Sequence, residues 1–167
     1  MQAKKLFFPL VLVVIFSLLT ACANKDDQLP PLPALEADPK RLYIAGLSSG
    51  AYLAHQIHLA YPAEVLGIAS FAGGPYQCAE KGVSAALFNC MQISRGAPKA
   101  ETSLKAMQVA AKEGLLGDLT QLKNSKAFIY FSEADEVVNP QVSQALYDSY
   151  TQLGLANLKL HTLPKAG

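Results

Sequence analysis

Apolar residues in this chain come in short blocks separated by polar or glycine-rich turns, and their period changes from block to block. Residues 42–45 (Leu-Tyr-Ile-Ala) form an apolar run that reads as a short buried strand. In residues 51–60 a helical run begins, and Leu53, Ile57 and Tyr61 recur four apart as its core-facing stripe until Pro62 closes it. Residues 65–72 are apolar without alternation and end in Gly73-Gly74-Pro75, the pattern of a parallel strand covered on both faces. Periodicity is poor over residues 76–100, which reads as a cap-like excursion. Helical spacing returns over residues 102–116, with Leu104, Met107, Ala111 and Leu115 near one face and Gly114 and Gly117 weakening the end.

Residues 127–132 (Ala-Phe-Ile-Tyr-Phe-Ser) predict a further strand. Asn139 then caps a helix with Pro140 at its first position, and Gly154 stops that helix after Leu153. Residues 158–163 predict a fourth strand, and residues 164–167 read as the start of a loop. Strands alternating with helices predict an α/β fold, a mainly parallel sheet with flanking helices. Such sheets carry function in the loops at the carboxyl ends of their strands. Ser48 and Asp135 both follow strands directly, so both are expected at that edge.

Composition adds limits. The chain has 167 residues, 51 % hydrophobic and 16 % charged, with net charge +1. That is one domain at most, with no basic surplus to suggest nucleic acid and no internal repeat. The first residues read as an export signal: Lys4-Lys5, an apolar stretch over residues 6–20 that is short for a bilayer span of about 20, then Leu19-Thr20-Ala21-Cys22. This resembles the lipobox of bacterial lipoproteins, which implies acylation of Cys22 and a membrane anchor made of lipid. Ala23 after the cysteine resembles the outer-membrane sorting pattern, so the expected location is the outer membrane, cell surface or periplasm, or else secretion after ordinary cleavage. The expected organisation is a signal peptide over 1–21, a Pro-rich tether over 22–38 and a catalytic region over 39–167.

Two cysteines remain, Cys78 and Cys90. An even pair in an exported domain favours a disulfide, worth about 3 kcal/mol in the chain-entropy model. Metal binding is the weaker reading, since no Cys or His stands at ligand spacing beside either. His55 and His58 lie three apart on the first helix without a third ligand nearby, and read as ordinary surface or groove histidines. No cofactor or metal is expected.

The chemistry concentrates at Gly46-Leu47-Ser48-Ser49-Gly50. Strand, G-x-S-x-G, helix is the context of a nucleophile elbow, where the serine sits on a strained turn above the sheet edge. The two glycines leave room for strand and helix to approach. The helix directs free N–H groups at the site of a developing oxyanion, with the Ser49 backbone N–H as first donor. A serine needs a base and a group that orients the base. Asp135 is the acid candidate because it follows a buried strand; Asp118, Glu133 and Glu136 are rivals, and a turn-forming aspartate is the plain alternative. His161, the one histidine after Asp135, falls inside the fourth strand and reads as structural or a groove residue.

Gly46 to Ala54 (Gly-Leu-Ser-Ser-Gly-Ala-Tyr-Leu-Ala), with Ala72-Gly73-Gly74-Pro75-Tyr76-Gln77-Cys78-Ala79, resembles the catalytic domain of poly(3-hydroxybutyrate) depolymerase-type esterases. Phe131 to Pro140 resembles that family's acid loop, and Cys90-Met91 the second half of its cap disulfide. The resemblance spans about residues 36–167. It implies a circularly permuted α/β-hydrolase, incomplete here, with an early nucleophile and a catalytic histidine in an Ala-Gly-His sequence. By that pattern the base is expected immediately after Gly167, so the sequence reads as an N-terminal fragment of low activity with exposed apolar edges and poor solubility. The implied activity is serine ester hydrolysis of polyhydroxyalkanoates. The alternatives are a carboxylesterase acting on soluble or plant-wall esters, and a non-catalytic surface lipoprotein or decayed remnant.

Overall fold

A computed structural model describes residues 40–164, together with Pro33 and residues 36–38. Four parallel strands form one sheet in chain order: β1 (Leu42–Leu47), β2 (Val65–Phe71), β3 (Lys126–Ser132) and β4 (Asn157–Leu163). Three longer helices alternate with them: α1 (Ser49–Ala60), α2 (Ala100–Lys112) and α3 (Pro140–Leu153). The strands and helices expected from periodicity are therefore present, each shifted by a few residues. Asn139 caps α3 by accepting from the Gln141 N–H at 3.0 Å, and Gly154 ends it at φ 78°.

Side-chain alternation divides the sheet into two unlike faces. Ile68, Ala127, Ile129 and Phe131 point to the face carrying the helices, where they are buried with Ala54 and Leu59 of α1, Met107 of α2, and Leu146 and Tyr150 of α3. The opposite face bears Leu47, Phe71, Phe128 and Tyr130 at matching register positions, none of them buried. β2 was expected to be covered on both faces; among the described residues one face is covered. Its unbroken apolar run reflects an aromatic cluster on the open side. Phe71 lies 6.1 Å from Phe128 and 5.6 Å from Tyr130, ring centre to ring centre.

The facing of α1 also departs from the periodic reading. Leu53 and Tyr61 are each 58 % exposed, while Ala51, Ala54, His55, His58 and Leu59 are buried. His55 and His58 are not surface residues: they are 1 % and 0 % exposed. Each places Nδ1 2.8 Å from the Tyr150 hydroxyl of α3. That oxygen meets part of their need for polar partners, so the helix can turn its histidines inward and Leu53 outward. Burial lowers the His55 pKa to about 3, with His58 beside it adding to the effect, and lowers that of His58 to about 4.

α2 begins two residues earlier than expected and ends at Lys112, so Leu115 falls outside it and is exposed. Met107 is fully buried with Ala100, Ser103 and Ala110, whereas Leu104 and Ala111 are only partly covered. The excursion is more regular than its sequence suggests: a helical turn (Val83–Ala85) continues into a π-helical stretch (Ala86–Met91). Leu119–Asn124 adds a short 3-10 helix.

Candidate active site

Ser48 stands between β1 and α1 with φ 51° and ψ −121°. A left-handed conformation is unfavourable for a residue with a Cβ, by about 1–3 kcal/mol, and persists only where neighbours enforce it. The enforcement is visible on both sides. The Ser48 N–H donates to the Phe71 carbonyl at 2.8 Å, holding the turn to the end of β2. Its carbonyl accepts from the Ala51 and Tyr52 N–H groups at 2.9 and 3.1 Å, tying the same residue to the first turn of α1. A Cβ on Gly46 would collide with the Gly50 carbonyl, so Gly46 is required by the close approach of strand and helix. Gly50 carries no such requirement of its own: a Cβ there would meet nothing within 4 Å.

The glycines after β2 belong to the same packing. A Cβ on Gly73 would strike the Ser70 hydroxyl and come within 2.8 Å of the Ala51 Cβ; one on Gly74 would strike the Tyr52 hydroxyl and come within 2.7 Å of Val142. Gly73-Gly74 therefore lets the loop lie directly against α1. The Ser49 N–H, at the first turn of α1, has no backbone partner among the described residues.

Asp135 lies beyond the carboxyl end of β3, at the same sheet edge as Ser48. Its Oδ1 accepts from the Val137 and Val138 N–H groups at 2.9 Å each, which shapes the loop and fixes the carboxylate. The Glu133 N–H donates to the Leu163 carbonyl at 2.9 Å, and the side chains of Glu133 and Glu136 are exposed. Asp118 is a cap: its Oδ1 accepts from the Thr120 N–H at 2.9 Å and the Thr120 hydroxyl at 2.7 Å, bonds that lower its pKa. Strands β1 and β3 are separated by two strand spacings, about 10 Å. Ser48 and Asp135 thus follow strands that are next but one to each other at this edge, with β2 between them.

The described histidines lie elsewhere. His161 is in β4, in register with Tyr130, on which its ring stacks at 5.6 Å. Through Tyr130 and Phe71 that register leads to Leu47, three strand spacings or about 14 Å away. His55 and His58 are enclosed on the helical side with Tyr150. Among the described residues no group of three His, Cys, Asp or Glu side chains is placed to hold a metal. Cys22 and residues 165–167 lie outside the described residues.

Cys78 and Cys90 are joined, with Cα atoms 5.7 Å apart. They form one wall of a cleft of about 550 Å³ that also includes Ser48, Ser49, Tyr52, Gln56, Tyr76 and Met91. Tyr52 donates its hydroxyl to the Cys90 carbonyl at 2.8 Å, and burial pushes its phenol well above the ordinary value, so it remains a donor. The one sequence signal for Tyr52 is its spacing, one helical turn after Ser48.

No family model matches the chain. The poly(3-hydroxybutyrate) depolymerase of Delftia acidovorans is 36 % identical over 120 residues, covering 71 % of this chain and 24 % of that protein. The polyhydroxybutyrate depolymerase of Talaromyces funiculosus is 31 % identical over 116 residues, covering 69 % of this chain and 32 % of that protein. The chain thus spans 24 % to 32 % of the length of these curated relatives. Among solved structures, the PHB depolymerase from Penicillium funiculosum superposes with a TM-score of 0.66 at 29 % identity, over 78 % of this chain and 40 % of that one. A serine-to-alanine PHB depolymerase variant complexed with an R3HB trimer superposes equally well, at 28 % identity. Sequence and fold together make this chain a homologue of the poly(3-hydroxybutyrate) depolymerases, built on a parallel sheet of the α/β-hydrolase type.

Proposed function

We propose that the chain carries the nucleophile and acid of a serine ester hydrolase acting on polyhydroxyalkanoate-type esters. The observation that carries this reading is Ser48 at φ 51° in G-x-S-x-G, held between β1 and α1 at the sheet edge shared with Asp135. In the reaction, Ser48 Oγ attacks the ester carbonyl carbon while its proton passes to a base. The developing oxyanion accepts from the Ser49 N–H, and the alcohol leaves with a proton from that base. Water then cleaves the acyl-serine, releasing the acid and restoring Ser48. Asp135 orients and stabilises the base. The relative complexed with an R3HB trimer supports a hydroxyacyl ester as substrate.

His55 and His58 are held at Tyr150 on the helical side and His161 lies in β4, so the reading gives none of the three the part of base. That same placement favours, as second reading, a protein that uses the cleft for binding alone. Export and acylation at Cys22, with attachment to the outer membrane or cell surface, complete the proposal; their support is the Leu19-Thr20-Ala21-Cys22 sequence.

A fluorophosphonate probe on the purified full chain tests the reading. Slow labelling that disappears in Ser48→Ala is the expected result. Absence of labelling in a chain that retains its folded circular-dichroism spectrum overturns the nucleophile reading. Release of 3-hydroxybutyrate oligomers from polymer granules, compared with hydrolysis of p-nitrophenyl esters, then separates polymer from small-ester hydrolysis.

A further inference from the structure

The segment Cys90-Met91-Gln92 touches both halves of the candidate site. On the nucleophile side, the Tyr52 hydroxyl donates to the Cys90 carbonyl at 2.8 Å, and the Tyr52 N–H donates to Ser48 itself at 3.1 Å. On the acid side, the Met91 carbonyl accepts from the Asn139 N–H at 2.8 Å. Gln92 Nε2 donates to the Glu136 carbonyl at 2.7 Å and the Val137 carbonyl at 3.3 Å. The Val137 N–H is in turn a donor to Asp135 Oδ1 at 2.9 Å. A continuous line of hydrogen bonds thus runs from Ser48 through Tyr52, Cys90 to Gln92, and the Glu136–Asn139 backbone, to Asp135.

The ends of this line differ in stiffness. Cys90 is buried and covalently held by Cys78, and Val138 is buried beside the acid. Gln92, Glu136 and Val137 are exposed, so the acid loop has little apolar packing of its own at those positions. A loop so placed takes its position from its anchors.

We infer that Cys90 to Gln92 is a strut that sets the distance between Ser48 and the Asp135 loop, with Tyr52 and Gln92 as its positioning residues. The inference rests on the proposed roles of Ser48 and Asp135, but its structural content is separable from them. Tyr52 orients no substrate atom here; its hydroxyl holds the strut to the nucleophile helix, and the Gln92 amide holds the strut to the acid loop.

Backbone amide exchange measured by NMR on the full chain tests it, using Tyr52→Phe, Gln92→Glu and the double variant. Tyr52→Phe keeps the ring against Gly74 and removes one hydroxyl; Gln92→Glu keeps the shape and removes the donor. Each is expected to speed exchange at Val137, Val138 and Asn139 about five- to tenfold, the consequence of losing one hydrogen bond, while Ile129 and Phe131 in β3 stay unchanged. The double variant is expected to fall short of the product of the two, because both act on one strut. Unchanged exchange in the loop overturns the inference, as does uniform acceleration throughout the chain, which marks a general loss of stability. Fluorophosphonate labelling of Ser48 in the same samples keeps the two readings apart: an unlabelled wild type with the expected exchange pattern removes the proposed activity and leaves the strut standing.

Discussion

The two faces of the sheet are made from the same strands and nearly the same amino-acid types, yet they are in opposite circumstances. Ile129 points into a core formed with α1, α2 and α3 and is completely buried; Phe128, one residue before it, lies half-covered against Phe71 on the other side. Burial here is decided by what stands above a residue and only weakly by its hydrophobicity. The contrast extends to polar groups. The covered face accommodates two imidazoles and a phenol, fully enclosed, while the open face leaves Leu47 69 % exposed.

Acid offers the strongest test of that difference. The unfolded chain takes up protons on His55 and His58 near pH 6.5, whereas the folded chain resists until about pH 3 and pH 4. Stability is therefore whole above about pH 6.5 and declines as the pH falls toward 4, with a slope approaching two protons per molecule. The accumulated loss is on the order of several kcal/mol, measured as the urea midpoint at a series of pH values. A midpoint constant from pH 7 to pH 4.5 would show that the imidazoles reach solvent.

Neighbouring truncations on β3 come next. Ile129→Ala should cost about 2–5 kcal/mol through the cavity it leaves, and Phe128→Ala about 1 kcal/mol. Similar costs from the two, read by urea unfolding, would mean that the open face is covered in solution. Tyr150→Phe should cost about 2–3 kcal/mol, since one deleted oxygen deprives two buried rings of a partner. A loss below about 0.5 kcal/mol would assign those rings to packing alone. The smallest effect is expected of Leu47→Lys. It should stay within about 0.5 kcal/mol and raise solubility, checked by thermal unfolding and light scattering, because it places a charge on an exposed aromatic strip.

The strands and the elbow were legible because their signals are local: apolar runs, a glycine-serine turn, Asn139-Pro140 and Gly154 all act within a few residues. The facing of α1 was not. Leu53, Ile57 and Tyr61 have ideal helical spacing, but the face that is buried includes two histidines whose partner, Tyr150, is 92 and 95 residues away. No local pattern encodes that partner. The same holds for the ties from Tyr52 to Cys90 and from Gln92 to the acid loop, which depend on how the disulfide-linked excursion folds back. The acid candidate was legible from its place after a strand, while the distance to be bridged between it and Ser48 required the sheet order.

The Tyr150 hydroxyl holds a single hydrogen, and two imidazole Nδ1 atoms sit 2.8 Å from it. The hydroxyl spends both its donor and an acceptor site when one ring accepts that hydrogen and the other offers its own. In that arrangement the two histidines are opposite tautomers: the accepting ring carries its proton on Nε2, and the donating ring leaves Nε2 bare. Both Nε2 atoms are buried without a partner among the described residues, so in that arrangement one is an unspent donor and the other an unspent acceptor. A pair only three residues apart on one helix is thus handed, with a fixed direction of hydrogen donation running through a phenol, and nitrogen-15 NMR should show it as two distinct imidazole signatures.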